Sequence, residues 1–508
     1  MRIHAFLLCG AWAVFLPAQA GDAALNPAVF PRLGSIDPRF QSYNVEMIEV
    51  TGGAFWKPYG AEDEAPQGPT PPGMDPKIYA YRAPKDFTNP RLRRLAAALA
   101  PAYIRVSGTW ANTTYFADSD TPPKEPPPGF NGVLTRAQWK GVVDFSKAVD
   151  ARIITSVAVG PGTRDAKGLW TATVAKPWFA YTKAIGGEIA AAEFANEPNL
   201  ARLAGFPAGY DAAAYGRDFA AFRAFAREAD PKLLVLGTGA VGTPSPAGTP
   251  PQKDMLPLED LLKASGAVDV ESYHHYGDVS ARCHGARTAA AALDEEWLGR
   301  TAKTAAYHLA ARDRYAPGKP VWLTEVGDAA CGGNPWATTF LDSFRYLDQL
   351  GRLAKMGVSV VAHNTLAISD YGLLDEKDYT PRPNYWAALV WRRLMGPTVL
   401  EAGVPAREGL HVYAQCTYDK RGAVTLLVIN NSRSAETSLA ISRNAQRYTL
   451  SADRPDSHEV KLNGMPLALG PKDALPVIAG VPVKAGTQTF APVTITFLVM
   501  PGTANPAC

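Results

Sequence analysis

From Asn44 to His363 the chain alternates short β-type apolar runs with segments of helix length, and few folds tolerate that alternation. A strand followed each time by a crossover helix pairs in parallel, and a parallel sheet needs cover on its outer face. Eight such runs can be placed: Asn44 to Val50, Ala102 to Ser107, Arg152 to Val159, Glu188 to Phe194, Leu233 to Gly237, Val268 to Tyr273, Pro320 to Thr324 and Val358 to His363. Between them Pro90 to Leu99, Ala137 to Val149, Tyr210 to Glu228 and Thr338 to Met356 carry apolar residues near the helical period. Eight parallel strands are what a closed (β/α)8 TIM barrel requires, and the pattern predicts one over residues 43–395. The segments Pro58 to Asp86 and Asp118 to Gly132, rich in Pro and Gly, read as irregular excursions above the barrel mouth.

After about Gly396 the period changes. Leu410 to Cys416, Val424 to Asn430, Gln446 to Leu450 and Val493 to Val499 are short strand signals separated by turns, which predicts a β-sandwich over 396–508. With 508 residues, 47% hydrophobic and 19% charged, the chain can fill both cores. At the other end, Arg2, the apolar stretch Ala5 to Leu16, Pro17 and Ala18-Gln19-Ala20 have the layout of a secretory signal with cleavage expected after Ala20, so the predicted location is secreted or periplasmic. A membrane anchor is the weaker alternative, because no later run reaches about 18 uninterrupted apolar residues. The net charge of +3 becomes 3 − 1 = +2 once Arg2 leaves, which argues against a general nucleic-acid-binding surface. Of five cysteines Cys9 leaves with the signal. The even remainder, Cys283, Cys331, Cys416 and Cys508, favours two disulfides in an exported chain. Sequence order suggests Cys283 with Cys331 and Cys416 with Cys508, one of three connectivities.

Two acidic residues stand out chemically. Glu197, in Ala195-Asn196-Glu197-Pro198-Asn199, follows the fourth predicted strand, and Glu325, in Val321-Trp322-Leu323-Thr324-Glu325, ends the seventh. Both therefore emerge at the carboxyl ends of barrel strands, where barrel chemistry sits. Two carboxyl groups facing each other across a glycosidic bond suffice to cleave it, one as acid and base and the other as nucleophile, so the pair predicts a retaining glycoside hydrolase. Taken alone, Asn-Glu-Pro can also merely terminate a strand. No histidines have helical metal-ligand spacing, and the adjacent His274 and His275 point to opposite faces of a strand, so neither metal nor cofactor is expected. Gly52-Gly53 lacks the strand and helix context of a phosphate loop, and no internal repeat is evident.

Several segments together resemble the heparanase and β-glucuronidase hydrolases, a family within the clan of barrels that carry catalytic glutamates after strands four and seven. They are Leu99-Ala100-Pro101-Ala102-Tyr103-Ile104-Arg105-Val106-Ser107-Gly108-Thr109, Phe194-Ala195-Asn196-Glu197-Pro198-Asn199, Tyr273-His274-His275-Tyr276, Lys319 to Glu325, Asp370 to Glu376 and Pro383-Asn384-Tyr385-Trp386. The resemblance implies that Glu197 is the acid and base and Glu325 the nucleophile, with Arg105 and Tyr276 supplying the donors an ionised nucleophile needs. It implies that Asn196 hydrogen-bonds the sugar 2-hydroxyl and that His274 contacts substrate. It also places the uronate carboxylate against the backbone N–H groups of Gly332 and Gly333 and against Tyr371, with Thr109 and Asn364 as further contacts. Asn364 stands where the animal enzymes carry glutamine. A disulfide to the extreme C-terminus, here Cys416 with Cys508, and an N-terminal segment (residues 21–42) that joins the sandwich belong to the same pattern.

Animal heparanases carry a long excised linker between the second and third strand regions, whereas only Ala117 to Gln138 fills that interval here. The implied protein is a single-chain, monomeric form of bacterial type. Its expected substrate is a glucuronic-acid-containing polysaccharide such as heparan sulfate, cut internally; release of terminal glucuronic acid is the alternative, and a non-catalytic glycan-binding barrel a third reading.

Overall fold

The computed structural model describes residues 24–60, 73, 75–242 and 255–508. The expected signal segment lies outside the described residues. Strand and helix alternate as β1 (Gln41–Glu46), α1 (Pro90–Ala98), β2 (Ala102–Ser107), α2 (Arg136–Ala148), β3 (Ala151–Ser156), α3 (Ala175–Ala184), β4 (Ile189–Glu193) and α4 (Ala212–Ala229). The series continues with β5 (Leu234–Val235), α5 (Leu258–Ser265), β6 (Glu271–Val279), α6 (Glu295–Tyr315), β7 (Val321–Ala330), α7 (Phe340–Met356), β8 (Val360–His363) and α8 (Pro383–Leu394). Parallel pairing runs from β5 through β4, β3, β2, β1, β8 and β7 to β6. The parallel bridge Leu236 to Val270 and the hydrogen bond from Gly237 N–H to the Val270 carbonyl (2.6 Å) then join β5 to β6. The result is a (β/α)8 barrel, as the alternation predicts.

The first strand is displaced from its predicted position of Asn44 to Val50. It ends at Glu46, and Met47–Thr51 forms a helical turn in which the Glu46 N–H donates to the Glu49 carboxylate at 2.9 Å. The apolar Met47, Ile48 and Val50 look like strand residues, but a reciprocal cap satisfies the orphan N–H groups of a helical turn. β6 and β7 extend several residues beyond their predicted ends. Inside the barrel, Tyr103, Ile154, Ala191, Leu236, Val270, Trp322 and Val360 form one apolar cluster, contributed by β2, β3, β4, β7, β8 and the residues flanking β5 and β6. Two residues further along β2 and β4, the period of a strand brings Arg105 and Glu193 inward, so a polar layer sits on an apolar plug.

The C-terminal part is built on a sheet that contains β9 (Met395–Leu400), β10 (His411–Thr417), β11 (Val424–Asn430), β13 (Ala445–Ser451) and β15 (Thr494–Met500), with β12 (Thr437–Ile441) and β14 (Gly486–Phe490) pairing as a smaller second layer. The N-terminal strand Arg32–Ser35 pairs antiparallel with β9, and Leu25 bridges Ile441 of β12. Alternate residues of β11 serve two cores: Leu426 and Val428 pack with Ile441 and Phe490 between the layers, whereas Leu427 and Ile429 join the barrel's core together with Leu347 and Leu350 of α7. Both faces are buried, so the strand reads as a continuous apolar run. Disulfides join Cys416 to Cys508 and Cys283 to Cys331. Among the described residues no helix is long and apolar enough to cross a membrane.

Where the sandwich sheet meets the barrel helices, His411 of β10 is fully buried between Asp348 Oδ1 (2.6 Å from Nδ1) and Glu295 Oε1 (2.7 Å from Nε2). Arg352, Tyr413 and Asn431 complete the cluster. Burial opposes the imidazolium, but the two carboxylates outweigh it and raise the pKa of His411 to about 9. Its folded pKa exceeds the unfolded value near 6.5, so its stabilising contribution is fully present below about pH 6.5 and is lost as pH rises through about 9. The contribution is on the order of 3 kcal/mol. Unfolding measured from pH 6 to 10 is expected to show this decline in the wild type and a flatter profile in His411→Gln; equal slopes would contradict the assignment.

Candidate active site

Each inward-facing group at the barrel mouth is aimed by a local irregularity. In β7 the pairing with β6 steps from Tyr273 with Leu323 to His274 with Glu325, so one extra residue is accommodated. In a regular strand Thr324 and Glu325 would face opposite sides; the bulge turns both inward. Thr324 Oγ1 donates to Glu193 Oε1 at 2.7 Å, while Glu325 Oε2 accepts from Arg105 Nη1 at 2.7 Å and Oε1 accepts from the Tyr276 hydroxyl at 2.8 Å. Glu197 adopts the left-handed conformation, φ 48° and ψ 56°. Pro198 disfavours the right-handed helical region for the residue before it, and a non-glycine residue at positive φ stores strain of the kind that collects at functional sites. The Glu197 N–H donates to the Gly239 carbonyl at 3.2 Å.

Arg105 organises the floor. Fully buried in β2, it donates through Nε to Glu193 Oε2 (2.9 Å), through Nη1 to Glu325, and through Nη2 to Asn196 Oδ1 (2.8 Å), with His274 Nε2 3.1 Å from the same Nη2. His274 Nδ1 lies 3.1 Å from Glu197 Oε1. Oxygens of Glu197 and Glu325 approach within 4.8 Å. Burial, reinforced by the charge of Glu325, pushes the Glu197 carboxyl well above the usual carboxylate range. Its protonated form therefore survives to higher pH, as an acid must. Burial and then the Arg105 charge hold His274 well below the ordinary imidazole value, so the ring is neutral. Glu197, His274 and Glu325 are close enough to share a cation, but the guanidinium of Arg105 already stands against Glu325 and His274.

The other sequence-predicted residues differ in their surroundings. Asn196 is locked by Asn112, which donates to its carbonyl (2.8 Å) and accepts from its N–H (2.9 Å); with Oδ1 taken by Arg105, its Nδ2 donor remains for a ligand. Asn364 donates to the Tyr276 hydroxyl (2.8 Å), the Tyr371 hydroxyl (3.3 Å) and Glu46 Oε1 (3.1 Å), which ties Tyr371 into the Glu325 network. Gly332 and Gly333 both have positive φ, and a Cβ on Gly332 would lie 2.5 Å from Arg282 Nη1 and 2.7 Å from Trp56 Cβ, so glycine is required there. The Gly333 N–H is already donated to the Ala329 carbonyl at 3.1 Å, which weakens the expectation that both glycine N–H groups are available to an anion. Thr109 lines a cleft of about 340 Å³ together with Trp110, Asn131 and Gly205. His274 is buried with both ring nitrogens engaged, Nε2 beside Arg105 Nη2 and Nδ1 beside Glu197 Oε1.

Sequence reasoning missed Glu46, Asn112 and Glu193. Glu193 had a signal, an acid one strand period beyond Ala191 and directly after a run of alanines; Glu46 likewise follows Asn44 by two. Burial first and Glu325 second hold Glu46 well above the usual carboxylate range, so this third carboxyl also favours its neutral form.

Comparison with known proteins places this geometry. A family model described as glycosyl hydrolase family 79, N-terminal domain, matches residues 85–351, a stretch that includes both Glu197 and Glu325. The chain is 27% identical to the heparanase of Mus musculus over 493 residues, covering 82% of this chain and 86% of that one. It is 33% identical to the baicalin-beta-D-glucuronidase of Scutellaria baicalensis over 192 residues, 36% of each. In structure it is similar to a 4-O-alpha-L-rhamnosyl-beta-D-glucuronidase from Fusarium oxysporum, with TM-score 0.63 at 14% identity over 94% of this chain and 100% of that one, a likeness of fold. With a family match over more than half its length, and with two glutamates brought together at the mouth of the barrel, the chain belongs to glycosyl hydrolase family 79.

Proposed function

We propose that this glycoside hydrolase is a retaining endo-β-glucuronidase that cuts heparan sulfate-type polysaccharide, with Glu197 as acid and base and Glu325 as nucleophile. The observation that carries the reading is the approach of the two carboxylates within 4.8 Å. Retaining enzymes hold their carboxyl groups about 5 to 5.5 Å apart, whereas inversion needs about 6.5 to 9.5 Å to admit a water. The environments also differ as the two roles demand. Burial pushes the Glu197 carboxyl well above the usual carboxylate range, while both oxygens of Glu325 accept hydrogen bonds, one of them from a guanidinium. A glucuronide substrate is supported by the names of the relatives and by the Gly332–Gly333 loop beside Tyr371.

Exo action is the second reading, favoured by Tyr59, whose hydroxyl donates to the Gly333 carbonyl at 3.1 Å and whose ring lies under the Arg282 guanidinium, covering one side of that loop. The two disulfides and the predicted signal support export to an oxidising compartment.

Proton NMR of an aryl β-glucuronide digest is expected to show the β anomer forming first; an α product would sink the retaining mechanism. On heparan sulfate, sized oligosaccharides are expected. Free uronate alone would reverse the order of the two readings. Glu197→Ala should retain activity toward substrates with good leaving groups, which need little acid assistance, and lose it toward poor ones.

A further inference from the structure

We propose that His274 is a positioning residue for the acid and base, a neutral imidazole that presents a fixed Nδ1–H donor to Glu197 and is itself fixed by Arg105. The inference rests on the assignment of Glu197 as acid and base. Arg105 can only donate, so the His274 nitrogen 3.1 Å from its Nη2, Nε2, must accept. The ring proton therefore sits on Nδ1, 3.1 Å from Glu197 Oε1 and 3.7 Å from Glu325 Oε2. With 0% of the ring exposed, no solvent competes for either nitrogen.

The donor matters because the reaction leaves a charge on Glu197 where water cannot solvate it. In the first step Glu197 gives its proton to the glycosidic oxygen, the bond from that oxygen to the anomeric carbon breaks with its electron pair going to oxygen, and a Glu325 oxygen bonds to the carbon. Glu197 is then a buried carboxylate. In the second step it takes a proton from water, whose oxygen attacks the same carbon and displaces Glu325. The imidazole keeps its own proton throughout; its hydrogen bond strengthens when Glu197 is charged and weakens when it is not. The other groups facing Glu197 are Glu325 from β7, Glu46 from β1, Glu193 from β4 and Arg105 from β2. The three carboxyl groups oppose its ionisation, and the hydrogen bonds of Arg105 go to Glu193, Glu325 and Asn196.

Removing a donor to a charged acceptor raises the acceptor's pKa, so in His274→Ala the alkaline limb of the kcat/KM profile on an aryl β-glucuronide is expected to move up by about one pH unit. His274→Asn keeps an amide donor near the Nδ1 position and should return the limb toward that of the wild type. An unmoved limb in a folded His274→Ala variant, or a uniform loss at every pH in both variants, would overturn the proposal. Nitrogen-15 NMR of the wild type gives a second reading that needs no active variant: the His274 signals, identified by their loss in His274→Asn, should report a neutral Nδ1–H tautomer from about pH 5 to 8, across which a free imidazole titrates. An imidazolium or an Nε2–H tautomer refutes it. Glu197→Ala profiled alongside separates the two assignments, because an alkaline limb that survives there removes Glu197 as the acid whatever His274 does.

Discussion

Glu325→Gln is expected to fold normally and to lose turnover on the order of 10⁵-fold, the scale on which removal of a covalent nucleophile acts. The amide preserves the shape and one acceptor, so Tyr276 or Arg105 keeps a partner, but it cannot form the ester to the anomeric carbon. Two checks make the expectation specific. Unfolding midpoints should stay near the wild-type value, since the substitution removes charge without opening a cavity. A 2-deoxy-2-fluoro glucuronide with a good leaving group should label Glu325 in the wild type, because fluorine destabilises the oxocarbenium-like transition states and slows release of the intermediate. Peptide mass spectrometry locates the adduct. A label elsewhere, or wild-type turnover in the variant, would overturn the nucleophile assignment.

Arg105→Ala should be the most destabilising single change at the site. The guanidinium is the cation bridging Glu193, which has 0% side-chain exposure, and Glu325, which has 7%. Its removal leaves two carboxylates facing each other without a counter-charge. Breaking a buried pair in this way costs about 3 to 5 kcal/mol, measurable as a fall in the denaturant midpoint. Arg105→Lys should fold better, yet a single ammonium cannot reproduce the planar fork that reaches Glu193, Glu325, Asn196 and His274 together, so activity should fall roughly a hundredfold or more. Pairing Arg105→Met with Glu193→Gln should return part of the stability without returning activity, because the second change removes one uncompensated charge and restores no orientation. Wild-type stability in Arg105→Ala would show that the ion-pair network contributes nothing.

Both predictions involve residues visible in the sequence, but visible to different degrees. Glu197 and Glu325 could be placed at strand ends from apolar runs alone, because a strand buried on both faces announces itself by composition. Arg105 could be placed at the end of a strand and, through the resemblance, against Glu325, but its contacts with Glu193 and Asn196, 88 and 91 residues away, could not be read. The substrate contact expected of His274 comes from the resemblance, because period two cannot tell a ligand-facing residue from one that supports the residue in front of it. The bulge at Thr324 was invisible for a related reason: an extra residue is defined by what the neighbouring strand does, and β6 lies some fifty residues upstream.

The order of strands and helices, and with it the barrel and the antiparallel sheet that follows it, was determined by the sequence itself. Those features rest on burial patterns that repeat within one element, and burial pattern is a local property of side chains. The tertiary structure alone decided which of the inward groups touch. It joined Arg105 to three strands at once, buried Glu46 and His274 behind the glutamates, and set Glu197 and Glu325 within reach of one bond. Such contacts depend on register and strand closure around the whole barrel, and on the low dielectric that closure creates, neither of which any single segment of chain contains.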